Sequence, residues 1–275
     1  MVIFQLPTWN CIEFDEALVA HFNGYRELKK IFFLHDVPPL MDHRALKELD
    51  RYIALYNRAD LMILPSQNMA DFLYSKGLTV KKTVIQRMWD APVDIDLGEK
   101  PPFRRRVNFA ADVIRVPRPF VQNWDSDEVE LAITAPSGEY AWARGKNIRC
   151  LGWFNHENLL ADALRKSGGF GLLWHDDPVW SEYMKRNACC KLGTYLGAGL
   201  PVIVHGSVPE AETVRRKNLG LAVDSLEEAV NQVARVTKEQ YAEMAKNADS
   251  FGSLVRNGYF SRKLLTDAIF RLLYD

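Results

Sequence analysis

KLGTYLGAGLPVIV, residues 191–204, is the stretch that decides the fold. Leu192, Tyr195 and Leu196 share one face at helical spacing, Gly199 suits the left-handed residue that ends a helix, and Pro201 prevents continuation. The Val-Ile-Val that follows is apolar without alternation, as in a parallel strand covered by helices on both faces. A helix that turns at once into a buried strand is half of a β-α-β unit. Lys191 stands at the helix start, where its charge opposes the positive end of the helix dipole. Unsatisfied N–H groups at such an end attract anions, so a phosphate would be welcome beside it. A solvated surface lysine accounts for the residue equally well.

Working outward, short apolar runs alternate with amphipathic stretches along the whole chain. Strands are expected at 2–7, 31–36, 60–66 and 82–89, with helices at 15–28, 44–59 and 67–77, the last capped by Ser66 and ended near Gly77. APVDIDLGEKPPF (91–103) has prolines, acids and no apolar period, and reads as a linker. A second series follows, with strands at 107–111, 129–135, 147–153, 170–175, 202–205 and 219–224. Its helices are expected at 156–167 (capped by Asn155), 189–198, 210–218, 225–236 and 238–249. The pattern predicts an α/β protein of two Rossmann-like doubly wound domains, 1–94 and 95–258, followed by a C-terminal helix over 259–275. Ligands are expected at the carboxyl ends of the strands.

Composition narrows the function. Lys+Arg and Asp+Glu balance at 35 each, which makes no electrostatic case for nucleic acid or an anionic membrane. Arg104-Arg105-Arg106 is one local basic cluster and reads as a solvated strand edge. Cys11, Cys150, Cys189 and Cys190 form no C-x-x-C, and the histidines show no H-E-x-x-H, so neither a disulfide framework nor a structural metal is expected. No apolar run approaches the ~20 residues of a membrane span. The start, MVIFQLPTWN, lacks the pattern of a secretory signal, and a soluble cytoplasmic protein is the expectation.

Several residues stand where chemistry could occur. FAADVIRVPRPFV (109–121) follows a strand and carries Arg115 and Arg118, whose planar forks suit a diphosphate; a polar loop is the plainer reading. Trp153 ends a strand and offers a face for a base to stack on, or else packs in the core. His35 and Asp36 end another strand, the place for a general base or a sugar ligand, although a buried satisfied histidine fits as well. PTWN (7–10) places Thr8, Trp9 and Asn10 in a polar-aromatic set suited to carbohydrate, with a helix cap as the alternative for Asn10. The D-x-D strings at 94–96 and 125–127 read as solvated loops rather than metal ligands. Neither a P-loop nor G-x-G-x-x-G nor G-x-S-x-G is present.

FQLPTWNCIEFDEALV (4–19), FLHDVPPLM (33–41), YNRADLMILPS (56–66), KTVIQRMWD (82–90), GGFGLLW (168–174), KLGTYLGAGLPVIV and VRNGYFSRKLL (255–265) together resemble the bacterial glucosyltransferase 3 family. That family glycosylates serine-rich adhesins and has relatives in surface polysaccharide synthesis. The resemblance implies GT-B architecture, with the donor nucleotide held mainly by the second domain and the C-terminal helix returning toward the first. It implies a UDP-glucose donor, a sugar acceptor such as N-acetylglucosamine on a glycoprotein, no metal cofactor, and homo-oligomers, typically tetramers. By position, the family's nucleotide-binding arginine falls on Arg115, with Arg118 as the alternative in a longer loop. Its aromatic residue falls on Trp153 and its lysine on Lys191. His35 and Asp36, with Thr8, Trp9 and Asn10, would face the acceptor, and either of the first pair could serve as base. The chain departs from the family in lacking an initial β-α-β segment of the first domain. Two rival readings follow: a galactofuranosyl- or glucosyltransferase of polysaccharide synthesis, and a non-catalytic truncated paralogue acting as a binding subunit.

Overall fold

The computed structural model describes residues 1–116, 118–136 and 140–274. The chain begins with β1 (Val2–Leu6), α1 (Ile12–His21), β2 (Lys30–Leu34), α2 (Leu49–Tyr56), β3 (Leu61–Leu64), α3 (Gln67–Ser75) and β4 (Thr83–Ile85). Then come β5 (Arg106–Phe109), α4 (Pro119–Gln122), β6 (Glu130–Ile133), β7 (Ile148–Cys150), α5 (Glu157–Ser167), β8 (Phe170–Leu173), α6 (Pro178–Met184) and α7 (Cys190–Gly197). Last are β9 (Val202–His205), α8 (Ala211–Arg216), β10 (Gly220–Val223), α9 (Leu226–Arg235), α10 (Lys238–Arg256) and α11 (Tyr259–Tyr274).

The first compact unit comprises Met1–Arg87, Asp177–Ala188 and the chain from Phe260 onward. Among its described residues the strands form one parallel sheet in the order β1-β2-β3-β4. Alternate residues of a strand point to opposite faces, and both faces are covered. Phe32, Leu34, Met62 and Leu64 pack on one face with Leu49, Tyr52, Ile53 and Tyr56 of α2 and Met69 and Leu73 of α3. Ile31, Leu61 and Ile63 pack on the other with Leu264, Ala268 and Leu272, an i, i+4, i+8 stripe of α11. Ser66 caps α3 as expected, its hydroxyl accepting the Met69 N–H at 3.0 Å.

The second unit comprises Met88–Asp176 and Cys189–Tyr259. Its parallel sheet runs β10-β9-β8-β5-β6-β7. From β5 the chain builds outward through β6 and β7, then returns to place β8, β9 and β10 on the other side. That is the dinucleotide-fold order, and its switch point lies between β5 and β8. Fully buried Asn108 of β5 reinforces this joint, its Nδ2 donating to the carbonyls of Gly168 at 2.7 Å and Phe170 at 3.1 Å.

Local expectations need correcting in several places. The helix expected at 15–28 starts earlier and ends at His21, with a 3₁₀ turn over Phe22–Gly24. The one expected at 44–59 is a 3₁₀ segment, His43–Glu48, followed by α2; the Asp42 carboxylate accepts the Arg44 N–H at 2.9 Å and tightens that start. α5 is capped by His156 rather than Asn155, the imidazole Nδ1 accepting the Asn158 N–H at 3.2 Å.

Candidate functional site

At the switch point of the second sheet, the loop after β5 is joined directly to the middle of α7. The Tyr195 hydroxyl, fully buried, accepts the Ala110 N–H at 2.8 Å. Gly171 makes room for that ring: a Cβ there would lie 2.2 Å from Tyr195 Cγ. Gly199 has φ +78° and ends the helix in the left-handed conformation, as its position in the sequence predicts. α7 is therefore held by its middle and its end, leaving its first turn to face the carboxyl edge of the sheet.

The N-cap is Cys189, whose side chain makes no capping hydrogen bond. Lys191 is half-buried and makes no ion pair or side-chain hydrogen bond among the described residues. A cation without a counter-ion at the positive end of a helix is electrostatically unfavourable alone and favourable once an anion arrives.

Both arginines lie in the adjoining loop. Arg115 is 82% exposed in its side chain, with Nε 3.5 Å from Asp112 Oδ2. Asp112 Oδ1 also accepts the Arg115 N–H at 2.8 Å, so this guanidinium is tethered to its own turn. Arg118 opens α4, and its Nε is buried without a partner among the described residues. Trp153 is 48% exposed, so it is a surface ring and not a core one. It follows β7, with β6 between that strand and β5, roughly 10 Å from β5 along the sheet. In the first D-x-D string, Asp94 pairs with the Asn158 amide and Asp96 accepts the Gly98 N–H at 2.8 Å. No cluster of three or more metal-type ligands occurs among the described residues.

The first unit gathers a separate polar set. Leu6 pairs with Leu34, so the turns after β1 and β2 emerge side by side. In the first turn, buried Asp15 receives the Thr8 hydroxyl at 2.5 Å, and Asn10 Nδ2 donates to Thr8 Oγ1 at 3.1 Å. Trp9 is 64% exposed with φ +61°, an uncommon conformation for a bulky residue and a form of backbone strain that concentrates at functional sites. In the second turn, His35 is half-buried against Phe33, ring centroids 4.6 Å apart, and burial pushes its pKa down. Asp36 Oδ1 accepts both the Tyr183 hydroxyl at 2.7 Å and Asn187 Nδ2 at 3.1 Å. Burial raises the Asp36 pKa, opposed by those two donors.

Sequence reasoning missed Tyr183, Asn187, Tyr195 and Glu210. Nothing local marks the first three, because their partners are far away in the chain. Glu210, in the turn after β9, is 5% exposed, its Oε2 has no partner among the described residues, and burial pushes its pKa up to about 8.

Family models match both units: the N-terminal domain of glucosyltransferase 3-like proteins over residues 1–88 and the C-terminal domain over 107–268. Glucosyltransferase 3 of Streptococcus gordonii is 41% identical over 276 residues, covering 99% of this chain and 80% of that protein. Glucosyltransferase 3 of Streptococcus parasanguinis is 38% identical over 278 residues, covering 100% and 80%. Among solved structures, Anabaena Alr3699/HepE in complex with UDP and glucose aligns at TM-score 0.63 and 15% identity, over 94% of this chain and 77% of that one. At that identity the likeness bears on the fold. Matching both domain models and sharing two-fifths of its residues with a named member, the chain belongs to the glucosyltransferase 3-like family and is a glycosyltransferase of the GT-B fold class.

Proposed function

We propose that this glycosyltransferase takes glucose from UDP-glucose and transfers it to a sugar acceptor, such as N-acetylglucosamine on a serine-rich glycoprotein. The observation that carries the reading is Lys191, a half-buried cation at the start of α7 with no ion pair or side-chain hydrogen bond among the described residues. The relatives named glucosyltransferase 3, and a fold neighbour whose structure holds UDP and glucose, support a UDP-glucose donor.

In this reading Lys191 neutralises the diphosphate and stabilises the charge that develops on departing UDP. An arginine of the loop after β5, Arg115 or the more buried Arg118, grips the same group, and Trp153 lies against uridine. Two cationic side chains would do the work of a divalent ion, so the transfer is metal-independent. Thr8, Trp9, Asn10, His35 and Asp36 face the acceptor, with His35 or Asp36 as base. A cytoplasmic homotetramer completes the proposal.

Calorimetry with UDP tests it. Hydrogen bonds to charged groups contribute about 1.5–3 kcal/mol, so Lys191→Ala should weaken UDP binding roughly tenfold to a hundredfold, with or without chelator. An unchanged affinity would remove Lys191 from the site. UDP release from UDP-glucose only when a sugar acceptor is present establishes transfer; a panel of UDP-sugars tests the donor.

A further inference from the structure

We propose that Asp15 is a positioning residue for acceptor binding, holding the turn that presents the exposed Trp9 ring as a platform for the acceptor's sugar. The inference rests on the reading of Thr8, Trp9 and Asn10 as acceptor-side residues, and every group in it belongs to the first unit. Trp9 has φ +61°. A bulky residue in that left-handed region is strained, and such strain persists only where the surroundings over-determine it. The ring supplies little compensation, because it is 64% exposed. The neighbours supply it instead. Asn10 Nδ2 donates to Thr8 Oγ1 at 3.1 Å, which ties the residues on either side of Trp9 to each other and leaves Trp9 at the apex. The Thr8 hydroxyl donates onward to Asp15 Oδ1 at 2.5 Å, and the Thr8 N–H lies 3.4 Å from both Asp15 oxygens. Asp15 is 2% exposed and belongs to the first turn of α1, so the anchor is interior and carried by a helix.

Helix capping does not explain the cluster. The N-cap of α1 is Cys11, without a side-chain cap, so Thr8 and Asn10 do not serve the helix end. Glycine would occupy position 9 without strain, so tryptophan there lowers stability and contributes a ring. An exposed indole offers a flat apolar face for the C–H groups of a hexose, with polar neighbours for its hydroxyls. The turn stands at the carboxyl edge of the first sheet, where the His35 N–H donates to the Leu6 carbonyl at 2.8 Å and joins it to the turn of His35 and Asp36. A ring fixed before the sugar arrives spares the cost of ordering it on binding. Asp15 supplies that fixing through Thr8 without itself reaching the surface.

The test uses the full chain with the methyl glycoside of N-acetylglucosamine as acceptor. Acceptor KM is read from UDP released from UDP-glucose, and binding of the glycoside from saturation-transfer NMR. Trp9→Gly should raise acceptor KM about tenfold or more, as expected for a tryptophan that anchors a ligand. It should also unfold at a higher temperature than Trp9→Ala, because only glycine relaxes at φ +61°. Asp15→Asn should raise acceptor KM about threefold to tenfold, with UDP affinity as in the unmodified protein. In the Trp9→Gly background Asp15→Asn should raise it no further, since no ring is left to position. A general loss of structure would act alike in both backgrounds; that result overturns the proposal, as does an unchanged KM in Asp15→Asn. Should Asp15→Asn fail to fold, Thr8→Val removes the hydroxyl at nearly constant shape and decides by the same comparison. If Trp9→Gly leaves both KM and saturation transfer unchanged, the acceptor-side reading of this turn fails. If the unmodified protein neither glycosylates nor binds the glycoside, the acceptor reading itself falls and takes the inference with it.

Discussion

At the scale of the residue, Glu210 makes the sharpest thermodynamic statement. Its carboxyl titrates at about 8 when folded, against 4.5 ordinarily, because burial disfavours the charge. The folded protein therefore holds a proton that the unfolded chain has released over roughly pH 4.5 to 8. A carboxyl raised in this way stabilises the fold least at high pH, and stability falls across that window by on the order of a few kcal/mol. Glu210→Gln removes the titration: the loss of thermal stability between pH 5 and pH 8.5 should be clearly smaller in the variant than in the unmodified protein. Parallel pH profiles would show that the Glu210 carboxyl does not titrate in this range. Nothing around Glu210 in the sequence announces burial, since Glu is ordinarily exposed. The start of α7 at Lys191 was legible because helix start, glycine stop and buried strand follow one another within a few residues.

At the scale of the element, α7 and β8 depend on each other. Adding a methyl group at Gly171 places it 2.2 Å from the Tyr195 ring and pushes the hydroxyl away from the Ala110 N–H. Overpacking of this kind costs about 1–3 kcal/mol. Gly171→Ala should lower the unfolding temperature and also weaken UDP binding, whereas a drop in stability with full affinity would mean that this contact does not shape the site. α11 offers a contrasting case. Leu264 is 5% exposed against the first sheet, so Leu264→Ala should cost about 2–5 kcal/mol, measured by denaturant unfolding. The strands and most helices were legible from apolar runs and period. The 3₁₀ segment His43–Glu48 was not, since Asp42 closes its turn by a side-chain bond that periodicity does not encode. Arg115 and Arg118 were both visible as candidates, but their difference in burial is set by how the loop folds back after β5.

At the scale of the whole molecule, the sequence reads as two β/α series with a linker, and two compact units are what the chain forms. The division is less linear than that reading. The first unit also takes Asp177–Ala188 and the chain from Phe260 onward, through bonds such as Tyr183 to Asp36 that join residues far apart in sequence. The strand order of the second unit puts β5 beside β8, and the loop after β5 meets α7 at Tyr195, four residues on from Lys191. Family membership accounts for the order of the motifs along the chain. The most direct measurement is a crystal structure of the protein soaked with UDP-glucose. The account predicts diphosphate oxygens within salt-bridge reach of Lys191 Nζ, about 4 Å or less, above the first turn of α7. A diphosphate bound elsewhere, with Lys191 pointing into solvent, would contradict it.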